Sequence, residues 1–276
     1  MRDLAHCFYP DITMTETPST RLRMGVLTPS SNTALEPLTS ALVGSYRAAD
    51  EPLNFLKSSS VSAHFSRFKV TQIALSDQAL GQFQDEIILS AAALLADAKV
   101  DVIGWSGTAA GWMGFDKDEL LVERIQQRTG IPATTAILAL NEALRLRGIE
   151  RIGIVSPYAS DVQQRIAANY ERMGIEVVAE THENIRDNHA FGMLAPELIL
   201  QRLRSVAQHP RAPQALITYC TNLRAAHLAP VIEAEFGIPL YDTVSTTVWG
   251  MLRQAQWPTL PLAAWGQLFQ MDGAVR

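Results

Sequence analysis

Apolar and polar positions follow two alternating periods along this chain. Short, nearly continuous apolar runs recur at Arg23–Thr28, Val100–Trp105, Arg151–Ser156, Ile175–Ala179 and Ala215–Tyr219. Such runs predict strands buried on both faces of a parallel sheet. Between them, apolar residues return at intervals of three and four. That spacing predicts one or two helices over Asp77–Leu95, and others over Glu119–Arg128, Ala136–Arg147, a segment ending near Met173, Pro196–Ala207, a segment from about Arg224 to Phe236, and Thr246–Gln254. Gly130-Ile131-Pro132, Gly148, Gly174 and Gly237-Ile238-Pro239 punctuate the helix ends. Ser58–Val70 alternates around Val61, Ala63, Phe65 and Phe68 and supplies a further strand and loop. Ala263–Met271 reads as a last short helix or strand. Strands alternating with helices predict an α/β fold.

The order is two copies of one plan. Gly25-Val26-Leu27-Thr28-Pro29-Ser30 corresponds to Gly153-Ile154-Val155-Ser156-Pro157-Tyr158. Val102–Thr108 corresponds to Leu216–Thr221, shifted by about one residue, and Gly130–Thr135 to Gly237–Asp242. The repeat predicts two pseudo-symmetric Rossmann-like domains with central parallel sheets and the active site in the cleft between them. The expected units are a flexible leader over 1–20, a first domain over 21–132 completed by 241–276, and a second over 133–240. Equivalent loops facing one another would gather Asn32, Gly107, Thr108, Tyr158, Cys220 and Thr221.

Cys220 is the chemical focus. It ends a strand and precedes small polar residues and a helix-compatible run, a setting that would lower a thiol's pKa. Packing alone is the plain alternative for a free cysteine. The loop Pro29–Thr33 follows the first strand, where ligands bind in α/β proteins; the plain alternative there is an Asx turn opening a helix.

Composition narrows the field. The 276 residues are 47% hydrophobic and 18% charged, which suits a folded globular protein. A formal charge of -5 with no basic block argues against nucleic acid as a partner. Cys7 and Cys220 form neither a disulfide framework nor a zinc spacing, so a reducing cytoplasmic setting is expected, without membrane association. Homo-oligomerisation is left open.

Several of these motifs resemble the aspartate/glutamate racemase superfamily, in the branch of maleate cis-trans isomerase and arylmalonate decarboxylase. They are Gly25–Thr33 with Glu36-Pro37, Ser106-Gly107-Thr108, Val155-Ser156-Pro157-Tyr158, Cys220-Thr221-Asn222, and Gly237-Ile238-Pro239 with Asp242–Thr246. The resemblance implies a small-molecule carboxylate substrate and no metal or organic cofactor. Racemases of the superfamily and the isomerase place one cysteine in each half. Here the first falls at Gly107 and the second is Cys220, the arrangement of arylmalonate decarboxylase.

The resemblance makes Cys220 the proton donor to an enediolate left by loss of carbon dioxide. Thr108, Tyr158 and Thr221 become oxyanion donors, and Ser30, Ser31 and Asn32 carboxylate ligands. Leu27, Trp105, Ala109, Trp112 and Asn222 are candidate pocket lining. Ala109 departs from the decarboxylase, which has a hydroxyl residue there. Alternatives are an isomerase or racemase on a small carboxylate, one of the ectoine-utilisation type included, and a catalytically reduced carboxylate-binding protein. His182, His189 and His227 are expected at the surface or away from the chemistry, His64 is a weak candidate to approach the cleft, and Trp249 and Met251 are expected in the core.

Overall fold

A computed structural model describes residues 21–46 and 60–271; the expected leader, with Cys7, lies outside the described residues. Two four-stranded, wholly parallel sheets carry the chain. The first contains β1 (Arg21–Pro29), β2 (Ser60–Phe68), β3 (Val102–Trp105) and β4 (Ala133–Thr135) in the order β2-β1-β3-β4. The second contains β5 (Arg151–Ser156), β6 (Glu176–His182), β7 (Ala215–Thr218) and β8 (Leu240–Asp242) in the order β6-β5-β7-β8. The two orders are the same, as the internal repeat predicts.

Helices α1 (Leu35–Gly44), α2 (Asp77–Leu80), α3 (Asp85–Asp97), α4 (Ala110–Met113), α5 (Asp116–Thr129) and α6 (Ala136–Leu146) accompany the first sheet's strands. Then come α7 (Ser160–Arg172), α8 (Asn188–Phe191), α9 (Pro196–Ala207), α10 (Ala229–Phe236) and α11 (Thr243–Gln254). The segment Asp77–Leu95 resolves into α2 and α3 around a 3-10 turn at Gly81–Phe83, and the chain's end into 3-10 turns at Leu260–Trp265 and Gln267–Gln270. No helix among the described residues is long and apolar enough to cross a membrane.

Strand register fixes which residues are equivalent. Trp105 lies opposite Leu27 on one side and Thr135 on the other. Thr218 lies opposite Val155 and Asp242 in the same way. Two residues beyond these strand ends stand Gly107 and Cys220, so the halves align there residue for residue, without the one-residue shift that the sequence suggests. The first sheet includes Ala133–Thr135, which pair along Ile103–Trp105, so it runs past the expected boundary at 132; Leu240–Asp242 close the second sheet. Helix α11 then crosses to the first sheet. Gly104 and Gly250 permit this close approach, since a Cβ at Gly104 would lie 2.4 Å from the Met251 sulfur and one at Gly250 2.6 Å from Ala139 Cβ. Trp249 and Met251 are fully buried in this contact.

One buried charge position gives the core a pH dependence. Asp118 on α5 is buried and accepts a hydrogen bond from the Thr135 hydroxyl, and burial pushes its pKa up from 3.8 to about 7. A raised carboxyl favours folding below its unfolded value near 4, and that contribution is lost as pH rises through 7. Asp118→Asn keeps an acceptor for Thr135 without the charge. Urea unfolding should show the variant more stable than the parent at pH 8 by roughly 4 kcal/mol, with the gain falling to less than half of that at pH 5 and approaching zero only below the unfolded value near 4.

Candidate active site

The carboxyl ends of both sheets converge on Cys220, the position where open α/β sheets bind ligands. The loop after β7 and the loop after β3 touch directly: Thr221 Oγ1 donates to the Ser106 carbonyl at 3.1 Å. Asn32, in the loop after β1, donates to Thr221 Oγ1 at 3.2 Å, while its Oδ1 accepts from the Ala34 and Leu35 amides. Asn32 is therefore both the Asx turn that opens α1 and a brace across the cleft. Asn222 mirrors it, its Oδ1 accepting from the Thr33 and Ala34 amides at 3.0 and 3.2 Å and its Nδ2 donating to the Asn188 carbonyl.

The reactive groups form a short chain. Thr108 and Tyr158 share a hydroxyl–hydroxyl hydrogen bond of 2.6 Å, and the Tyr158 hydroxyl also bonds the Cys220 thiol. The Asn222 amide reaches the same sulfur at 3.4 Å. Tyr158 is fixed by its ring, edge-on to Trp112 at 5.3 Å and to Phe191 at 5.5 Å. Cys220, Tyr158, Thr108, Thr221, Asn32 and Asn222 are all buried. Burial holds the Tyr158 phenol well above its ordinary pKa, so it remains a neutral hydrogen-bond donor.

The thiol differs from expectation. No helix starts directly after Cys220. The chain makes a turn, then a 3-10 turn at Ala226–Leu228, and α10 begins only at Ala229. Two amides and the Tyr158 hydroxyl favour the thiolate, but burial, with a smaller contribution from nearby Asp242, outweighs them and pushes the thiol up to about 12. Asp242 is itself raised to about 6 by burial, although Thr218 and the Val244 and Ser245 amides bond it. Cys220 is thus a protonated thiol at neutral pH. Iodoacetamide should alkylate the Cys220 peptide about a thousandfold more slowly at pH 8 than an ordinary thiol of pKa 9, with a rate still rising above pH 10, as read by peptide mass spectrometry.

The other predicted residues divide. Ser30 is exposed, and its hydroxyl bonds both polar groups of Val70. Ser31 donates to the Val70 carbonyl and accepts from Asn188 Nδ2 at 2.7 Å. Both brace the loop after β2 in this state. Leu27, Trp105, Ala109 and Trp112 are buried around the site, and the Trp112 indole N–H has no partner. A Cβ at Gly107 would fall 2.0 Å from Trp105 Cζ2. His64 bonds Ser62 on edge strand β2 and lies near Arg21, Arg23 and Asp101; His182 bonds Ser160 and Glu180; His227 is exposed on the turn before α10.

Asn188 and Phe191 stand at the candidate site without being singled out by the sequence pattern, and Asp242, which falls in a matching motif, has no role assigned there. Asp242 carries an N-cap signature in Asp242-Thr243-Val244-Ser245. Asn188 carries none, because tertiary pairing places it: Ile73 N donates to Arg186 O at 2.9 Å and Asn188 N to Thr71 O at 3.0 Å, which joins the segments after the two edge strands into a roof.

Known proteins share this plan. Maleate isomerase of Nocardia farcinica is 24% identical over 92% of this chain and 97% of its own length. Maleate isomerase of Pseudomonas putida is 27% identical over 84% and 90%. Arylmalonate decarboxylase of Bordetella bronchiseptica is 21% identical over 61% and 70%. Among solved structures, maleate isomerase from Pseudomonas putida S16 with maleate superposes with a TM-score of 0.79 at 24% identity, covering 90% of this chain and 97% of that one. A cysteine-to-serine mutant of the Nocardia farcinica isomerase, with a covalently bound succinylcysteine intermediate, gives 0.77 at 22% identity over 92% and 100%. Unliganded arylmalonate decarboxylase gives 0.68 at 17% identity over 91% and 100%. The family model described as arylmalonate decarboxylase matches residues 59–269, most of the chain, and the chain belongs to that family.

Proposed function

We propose that this protein is a cofactor-independent decarboxylase of an activated, malonate-type acid. The observation that carries the reading is that Cys220, the one thiol among the described residues, stands beside the Tyr158–Thr108 hydroxyl pair while the equivalent position of the first half is Gly107. The carbon–carbon bond to one carboxylate breaks and carbon dioxide leaves. The electron pair stays on the α-carbon and the retained carboxylate as an enediolate. Tyr158, Thr108 and the Thr221 backbone amide are the candidate donors to its oxygens, which gain charge in the transition state; the Thr221 hydroxyl is already given to the Ser106 carbonyl. The Cys220 thiol then gives its proton to the α-carbon, and the thiolate recovers one from solvent. A thiol with a pKa near 12 suits an acid in this step better than a resting thiolate nucleophile.

The second reading is an isomerase or racemase on a small carboxylate, supported by the maleate isomerases among the relatives. The succinylcysteine of the Nocardia farcinica protein formed in a mutant that had lost one cysteine, so it sits on another. In this chain position 107 offers no thiol, so covalent attack would fall to Cys220 itself. Incubation with disubstituted malonates, maleate and small amino acids decides between them. Carbon dioxide release from a malonate supports the first reading; double-bond isomerisation or α-exchange without mass loss supports the second and contradicts the first.

A further inference from the structure

The two halves differ most where symmetry makes them comparable. In the second half the strand-end residue is Thr218, whose hydroxyl turns to Asp242 at 2.7 Å, while the Cys220 sulfur meets Tyr158 and the Asn222 amide. In the first half the equivalent strand-end residue is Trp105. Its indole lies across Gly107: a Cβ built there would be 2.0 Å from Cζ2, 2.4 Å from Cε2 and 2.5 Å from Cη2. Atoms so placed overlap, so the ring occupies the volume a side chain at 107 would need. Nor is the ring free to swing aside. Trp105 is buried, held by strand pairing on both sides, and packed on Phe68 with centroids 5.0 Å apart. Ser106 and Thr108, which flank Gly107, both touch the Cys220 side of the cleft, through Thr221 and Tyr158.

We propose that Trp105 is the specificity-determining residue that commits this site to one thiol, its indole standing in the place of the first half's acid/base side chain. Resting on the functional reading above, this gives the substrate a proton donor on one face and an aromatic wall on the other. Gly107 alone does not define the one-thiol site; Trp105 and Gly107 act as a pair. An apolar wall also offers no solvation to a carboxylate pressed against it, which favours departure as neutral carbon dioxide.

A double-mutant cycle tests the pairing without any substrate. The variants are G107C, W105T (copying Thr218) and W105T/G107C, with G107A in both backgrounds as a smaller probe should G107C fail to fold. Thermal unfolding should show G107C or G107A lowering Tm by about 5 °C or more when Trp105 is present, and by less than half as much in the W105T background. Equal losses in the two backgrounds, or no loss from G107C or G107A beside Trp105, would overturn the proposal. For an accepted malonate in deuterium oxide, the parent should label one enantiomer and W105T/G107C both. Coupling in Tm without decarboxylation of any malonate would leave the pairing standing and remove the functional reading. Single-faced decarboxylation without coupling would do the opposite.

Discussion

Cys220→Ala should lower kcat for the proposed decarboxylation by about a thousandfold while KM stays within about threefold, because a positioned general acid contributes roughly 10²–10⁴ in rate. In the proposed reading substrate binding draws on Asn32, Thr108, Tyr158 and the loop amides, none of which the substitution removes. Folding should survive, since alanine replaces a small buried side chain whose hydrogen bonds are weak. Steady-state kinetics with carbon dioxide detection check the split. A rise in KM with unchanged kcat would instead make Cys220 a binding residue, and full retained activity would remove it from the mechanism. Cys220→Ser is a useful companion, because a hydroxyl holds the position with a far less acidic proton.

Tyr158→Phe carries the second large effect. The ring contacts with Trp112 and Phe191 survive, so the fold is retained, but the hydroxyl linking Thr108 to Cys220 is lost. Removing one preorganised oxyanion donor costs about 10²–10³ in kcat. The same hydroxyl stabilises the thiolate, so its loss moves the Cys220 pKa further upward. Alkylation of the Cys220 peptide at pH 10 should therefore be slower in Tyr158→Phe than in the parent. Thr108→Val removes the other partner while leaving Tyr158 in contact with the thiol. It should reduce kcat with little change in the alkylation profile, which separates oxyanion binding from thiol tuning.

Much of this site is legible along the chain because its parts sit at repeated landmarks. The strand ends at Pro29, Trp105, Ser156 and Thr218 lie within a residue of where the apolar runs break at proline, glycine or small polar residues, and the family resemblance sets Gly107 where a first cysteine would match Cys220. The sheets' buried, parallel character follows from the same runs. What escapes is set by tertiary geometry. The helix expected soon after Cys220 is displaced to Ala229, because Asn222 and Leu223 form a turn whose amides face the sulfur. The thiol's pKa follows: burial, with a smaller push from Asp242, outweighs the Tyr158 hydroxyl and the two amides that favour the thiolate. Ser30 and Ser31 have ligand-like chemistry in sequence, yet the loop after β2 takes their hydroxyls at Val70. Asn188 reaches the site only through pairing of two segments more than a hundred residues apart, 71–73 with 186–188, which no local pattern encodes.

The proton's origin is the centre of the account. Decarboxylation of a prochiral disubstituted malonate in deuterium oxide, followed by proton NMR and chiral separation, reads it directly. One deuterium at the α-carbon of a single enantiomer, abolished by Cys220→Ala, is the predicted result. A racemic product, or maleate converted to fumarate while malonates remain intact, would contradict it.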